Sequence, residues 1–224
     1  MIGSAVLLSG GLDSAVLLAL QLRDAGPVLP IHIRTGFAWE DAEARVIDEL
    51  LAVAPYAGRT LAASTLRLDM RDVFPATHWA VTGEAPAYET PDEDVYIEGR
   101  NITLIAKAAV VCARLHIPRL VLGPLAGNPF PDARPEFFET MARAMSLGLD
   151  HELVIAAPLS TMHKDAVIRL GLELGVPLER TLSCMSPLGL QHCGRCSKCR
   201  ERHDAFDAAH VPDPTFYVGI ERQL

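Results

Sequence analysis

The stretch Ser9-Gly10-Gly11-Leu12-Asp13-Ser14 constrains this chain more than any other, because it joins two apolar runs directly. The run before it, Ala5-Val6-Leu7-Leu8, is apolar throughout and flanked by turn residues, as a strand buried on both faces is. The run after it, Ala15-Val16-Leu17-Leu18-Ala19-Leu20, is built of good helix formers, with Asp13 or Ser14 as its cap. Two glycines between strand and helix let the backbone come close to an anion. The helix start adds unpaired N–H groups and a positive dipole end, and the Ser9 and Ser14 hydroxyls add donors. Leu8 to Ser14 therefore reads as a phosphate cradle.

An ordinary strand–helix turn needs glycine for geometry alone, but six specified positions at the first such junction favour binding. The loop has no Gly-Lys-Ser/Thr ending, which argues against a Walker-type phosphate loop. Ser-Gly-Gly-Leu-Asp-Ser resembles the PP-loop of the ATP pyrophosphatases. That resemblance implies that the loop grips the β,γ-pyrophosphate of ATP while a substrate is adenylated.

A chain of 224 residues, half of them hydrophobic, has enough material for one full core. The formal net charge of −8 argues against a broad nucleic-acid surface. No basic-then-apolar leader precedes the first strand and no apolar run reaches membrane-spanning length, so the expected location is the cytoplasm, with no membrane partner. Five cysteines in such a setting point to metal or chemistry before disulfides.

Further strands are expected at 28–33, 66–69, 119–123 and 153–156, with helices at 39–54, 103–115, 135–147 and 163–174. Residues 70–97 carry several prolines and the acidic run Asp92-Glu93-Asp94, and read as a long loop. Alternating strands and helices predict an α/β fold, a five-stranded parallel Rossmann-like sheet covered by helices on both faces. Ligands of such sheets gather at the carboxyl ends of the strands. The division is an α/β nucleotide-binding domain over 1–178 and a small zinc-binding segment over 179–224 packed on it.

That final segment carries Cys184, Cys193, Cys196 and Cys199 in the spacing C-x8-C-x2-C-x2-C. Two-residue gaps let neighbouring thiolates converge on one ion, and four of them suit a tetrahedral, structural zinc. An iron–sulfur cluster is the main rival. Cys112, in an apolar helix, reads as a core residue, and His192 as a neighbour of the ligands.

The loop and the cysteines together resemble the 7-cyano-7-deazaguanine synthase family. Gly99-Arg100-Asn101, Pro131-Asp132-Ala133-Arg134-Pro135-Glu136-Phe137 and the run from Lys164 to Cys184 are similar to further family segments. The resemblance implies an ATP-dependent carbon–nitrogen ligase that takes 7-carboxy-7-deazaguanine and ammonia to the nitrile through an adenylated intermediate, with Mg²⁺ on the phosphates. It implies catalytic roles for Asp13, Ser14 and Lys164. ATP contacts would come from Leu8, Ser9, Gly10, Gly11, Leu12, Asp13, Ser14, Arg100 and Asn101, and contacts to the deazapurine from Trp39, Asp132 and Arg134. It also implies a homodimer working on small molecules.

Three stretches depart from the family pattern: Arg34-Thr35-Gly36-Phe37-Ala38-Trp39-Glu40, Gly127-Asn128-Pro129-Phe130 and Pro187-Leu188-Gly189. The first two fall on strand-end loops, where the deazapurine would sit. A ligase acting on another carboxylate or amide, or one joining a deazapurine to a macromolecule, is the enzymatic alternative. A nucleotide-binding module without turnover is the non-enzymatic one.

Overall fold

The computed structural model describes residues 2–24 and 26–218. Its centre is one sheet of five strands: β1 (Ser4–Leu7), β2 (Val28–Arg34), β3 (Ser64–Arg67), β4 (Arg119–Val121) and β5 (Val154–Ala156). Their order is β3-β2-β1-β4-β5 and every neighbouring pair is parallel. Ala5 of β1 stands between Leu29 and Leu120, so the loop after β1 leaves from the middle of the sheet.

Successive side chains of a strand point to opposite faces, and here both faces are buried. Val6, Val28 and Val121 pack on one side with α1 (Leu12–Asp24), α2 (Glu40–Leu51), α6 (Lys164–Glu173) and α7 (Ser197–Ala209). Ala5, Leu29, Ile31 and Leu120 pack on the other with α4 (Arg100–Arg114) and α5 (Pro135–Leu149). The short helix α3 (Trp79–Thr82) belongs to a third apolar cluster that joins the 70–97 stretch, the start of α2 and the cysteine segment. This is the expected doubly covered parallel sheet.

Several boundaries differ from the sequence reading for local reasons. α1 starts at Leu12, so Gly11 precedes its first turn, and neither Asp13 nor Ser14 is the cap. Ser14 instead folds its hydroxyl back on the Gly11 carbonyl at 3.0 Å. α4 begins three residues early, at Arg100, because Gly99 adopts φ +72° and the Thr103 hydroxyl bonds back to the Gly99 carbonyl. β3 ends at Arg67, which leaves Asp69 in the following turn, where Arg71 donates to it at 2.6 Å. The 70–97 stretch is ordered against the rest: Ala38 N–H donates to the Ala80 carbonyl, and Ser197 N–H to the Pro86 carbonyl.

α7 has no counterpart in the sequence reading, and its anchor is Arg202, which is fully buried. The guanidinium donates to the Thr215 hydroxyl at 2.6 Å, the Thr181 hydroxyl at 2.9 Å and the Leu178 carbonyl at 2.8 Å, and lies over Phe206. It thus ties α7 to the chain entering the cysteine segment. Residues 219–224 of the expected zinc-binding segment lie outside the described residues. Arg202→Leu removes three buried charge-assisted hydrogen bonds, so it should cost about 3 kcal/mol in chemical denaturation.

Candidate active site and metal centre

The sequence Ser-Gly-Gly forces a tight reversal at the end of β1. Gly10 sits at φ +77°, and a Cβ there would meet the Val46 side chain at 3.0 Å, so the loop lies directly against α2. Its carbonyl accepts from Leu182 N–H at 2.9 Å, which fastens the loop to the segment before Cys184. Gly11 N–H donates to the Ser9 hydroxyl, and the Ser9 and Ser14 hydroxyls lie 3.3 Å apart. Two hydroxyls and a helix start are thereby grouped as an anion site requires.

The loop forms one wall of a cavity of about 520 Å³. Leu8, Ser9, Gly11, Leu12, Asp13 and Ser14 line it; Gly10 does not, being turned toward α2. Lys164 enters from the first turn of α6. Its ammonium lies 3.3 Å from an Asp13 oxygen and 2.5 Å from a Glu201 oxygen. Burial works against that charge, but Asp13 and Glu201 override it and hold Lys164 protonated above the ordinary lysine range. Burial would likewise raise Glu201, yet Lys164 and Lys198 on either side bring it down to about 2. The other Asp13 oxygen, Oδ1, is buried with no hydrogen-bond partner among the described residues, which fits a carboxylate that receives a cation with its ligand.

Arg100 and Asn101 also line the cavity, from the start of α4. Asn101 is committed: its backbone N–H and its side-chain amide both bind the Asp132 carboxylate, at 3.0 and 3.2 Å. Asp132 is 4% exposed and faces the cavity wall with its oxygens occupied by Asn101. Arg134 stands apart from these residues. It precedes α5, is exposed and does not line the cavity, because the turn at 131–133 buries Asp132 and Ala133 and carries the next residue outward. Trp39 lines the cavity but is 5% exposed, with its ring stacked on Trp79 at 5.6 Å and against Phe37 at 5.4 Å.

Among the cavity residues missed from sequence, besides Lys198 and Glu201 of α7, four stand out. Trp79 and the stacked pair Tyr96 and Phe130 supply aromatic faces. Their only sequence signal was isolated aromatics in a proline-rich stretch and a strand-end loop. Glu43 is the fourth. Enclosure in the wall pushes its carboxyl from 4.5 to about 7, against the pull of Arg100 and with Glu40 adding to the rise. A carboxyl raised on folding makes the native state bind the proton more tightly, so stability is lost as pH climbs from 4.5 through 7. Glu43→Gln removes that loss. The ligand-free variant should match the parent's melting temperature at pH 4 and exceed it at pH 8.

The four cysteines converge as their spacing suggests. All four sulfurs are buried and lie within 4.8 Å of one another, with separations of 4.0 Å for Cys184–Cys196, 3.9 Å for Cys193–Cys199 and 3.5 Å for Cys196–Cys199. A tetrahedral ion with bonds of about 2.3 Å needs edges of about 3.8 Å, so the set fits one metal ion. The space is too small for a cluster of several irons. Backbone N–H groups of Ser186 and Cys193 point at the Cys184 sulfur, as they do at thiolates. His192 ligates nothing; its Nε2 accepts from Ser183 N–H at 3.0 Å, and burial holds it at about 3, in the neutral form.

A β3-β2-β1-β4-β5 parallel sheet with Ser-Gly-Gly-Leu-Asp-Ser at its central strand end defines a PP-loop ATP pyrophosphatase-like protein. Comparison with known families narrows this: the chain belongs to the family described as queuosine biosynthesis protein QueC, which matches residues 3–210. A 7-cyano-7-deazaguanine synthase of Methanopyrus kandleri is 30% identical over 97% of this chain and 100% of its own. One from an Anaeromyxobacter species is 34% identical over 95% of each chain. The solved chain described as a predicted subunit of tRNA methyltransferase from Methanocaldococcus jannaschii superposes with a TM-score of 0.50 at 15% identity, over 100% of this chain and 94% of that one, a likeness of fold alone. Among the described residues no helix is long and apolar enough to cross a membrane.

Proposed function

We propose that this chain converts 7-carboxy-7-deazaguanine and ammonia to 7-cyano-7-deazaguanine at the cost of ATP. The observation that carries the reading is that the PP-loop and an aromatic wall share one cavity, in a chain whose full-length relatives bear that activity's name.

Ammonia cannot displace oxide from a carboxylate, so the acid must first gain a leaving group. The substrate carboxylate attacks the α-phosphorus of ATP, and pyrophosphate leaves into the cradle made by Ser9, Ser14 and the start of α1. Lys164 lies where its charge offsets that forming on the departing pyrophosphate. Ammonia then attacks the acyl carbon, AMP departs and an amide remains. A second ATP activates the amide oxygen; loss of AMP and of the N–H protons leaves the nitrile. Glu43, held near neutrality, is the cavity group suited to take those protons. Asp13 would hold Mg²⁺, which neutralises phosphate charge when bound. The bicyclic ring would lie on Trp79 or between Tyr96 and Phe130, with Asp132 and Trp39 shaping the wall.

The cysteine cluster holds zinc in this reading, as structure and not as catalyst, because four thiolates leave no open position. The working form is a cytoplasmic homodimer that engages small molecules and no nucleic acid. Titration of the protein with deazapurines tests the substrate. The acid or its nitrile should bind far better than guanine, which lacks the carbon substituent. Equal binding of guanine, or no binding of any deazapurine, would move the substrate to another carboxylate or amide.

A further inference from the structure

α7 starts on the cysteine cluster and its first turns reach the phosphate cavity. Cys196 caps the helix and Cys199 lies in its first turn, while Lys198 and Glu201, on the same turns, line the cavity. Glu201 spans two cations: one oxygen accepts from the Lys164 ammonium and the other from the Lys198 ammonium, each at 2.5 Å. Lys164 in turn lies 3.3 Å from Asp13. Four charges therefore alternate in a row from the PP-loop to the helix that carries Cys199. The Lys164 and Glu201 side chains are only 13% and 23% exposed, so water does little to screen them.

We propose that Glu201 is a positioning residue. It draws the Lys164 ammonium off Asp13 and fixes it on the cavity wall, so the phosphate site depends on the start of α7. A lysine left with Asp13 alone would close onto that carboxylate and compete for its charge with the cation it must receive. Glu201 holds Lys164 at a shorter distance than Asp13 does, which keeps both groups available to a triphosphate. The inference rests on the ATP-binding reading of the loop and not on the identity of the acid.

A double-mutant cycle on MgATP binding tests it, read by calorimetry on the whole chain with metal content measured alongside. Glu201→Gln should keep its metal and bind MgATP about tenfold more weakly, the loss expected of one charge-assisted contact. In a Lys164→Met background the same substitution should change nothing further, because Glu201 acts through that lysine. Glu201→Asp, which keeps the charge on a shorter arm, should recover part of the affinity and carries the test if Glu201→Gln loses its metal. Unchanged affinity in a metal-replete Glu201 variant, or losses that multiply in the double variant, would overturn the proposal. Absence of turnover with 7-carboxy-7-deazaguanine would count against the proposed reaction while leaving this cycle readable.

Discussion

Asp13→Asn should lower turnover by about a hundredfold or more while shifting the melting temperature by no more than about 2 °C. The substitution keeps the volume and planarity of the side chain, so the PP-loop retains its shape. What changes is charge. One Asp13 oxygen lies 3.3 Å from the Lys164 ammonium, and the other is buried without a partner among the described residues. An amide that turns its oxygen to Lys164 presents its NH2 to the other side, and so cannot replace the carboxylate toward an incoming cation. Stability changes little because two effects offset each other: the attraction of a partly buried ion pair is lost, and so is the cost of keeping the carboxylate charge out of water. Full turnover in Asp13→Asn would remove the loop from the chemistry.

Removal of the metal should do the reverse, with a large effect on stability. The sulfurs of Cys184, Cys193, Cys196 and Cys199 converge only in the folded chain, so ion binding adds directly to folding. Without the ion, four buried thiols face one another within 4.8 Å, with no ligand between them. Chelation, or Cys196→Ser, should release about one zinc per chain and cost on the order of 5 kcal/mol, hence about 10–20 °C in melting temperature. The affected region is the segment that Arg202 anchors, together with the 70–97 stretch packed on it. Iron with inorganic sulfide in the purified protein, or a normal melting curve after metal loss, would contradict this.

The sheet was legible because a strand buried on both faces is apolar nearly throughout, as Ala5 to Leu8 and Val28 to Ile33 are, with His32 the one buried exception, its Nδ1 bonded to the Leu8 carbonyl. Strand β3, half exposed, was legible only approximately, and its limits slipped by two residues. The metal centre was legible because ligand spacing along the chain fixes which thiolates can converge. The remainder of the site was not, since it depends on tertiary placement. Trp79, Tyr96 and Glu201 come from a stretch without periodicity and from a helix whose apolar face is interrupted by Lys198, Arg200 and Arg202. Glu43 looked like any acidic residue in the first turn of a helix, and only the fold shows it enclosed beside Arg100. Arg134 shows the converse: its motif placed it before α5, as found, but the direction of its side chain depends on the one turn of 3-10 helix that buries Asp132 and Ala133.

In the proposed reaction this cavity couples ATP cleavage to nitrile formation on a deazapurine acid. Incubation of the purified protein with ATP, Mg²⁺, ammonium and 7-carboxy-7-deazaguanine, followed by mass spectrometry, tests it most directly. The expected products are 7-cyano-7-deazaguanine, the amide as its precursor, and AMP with pyrophosphate in a ratio of two to each nitrile. Unchanged acid beside intact ATP, or ADP and phosphate in place of AMP and pyrophosphate, would contradict it.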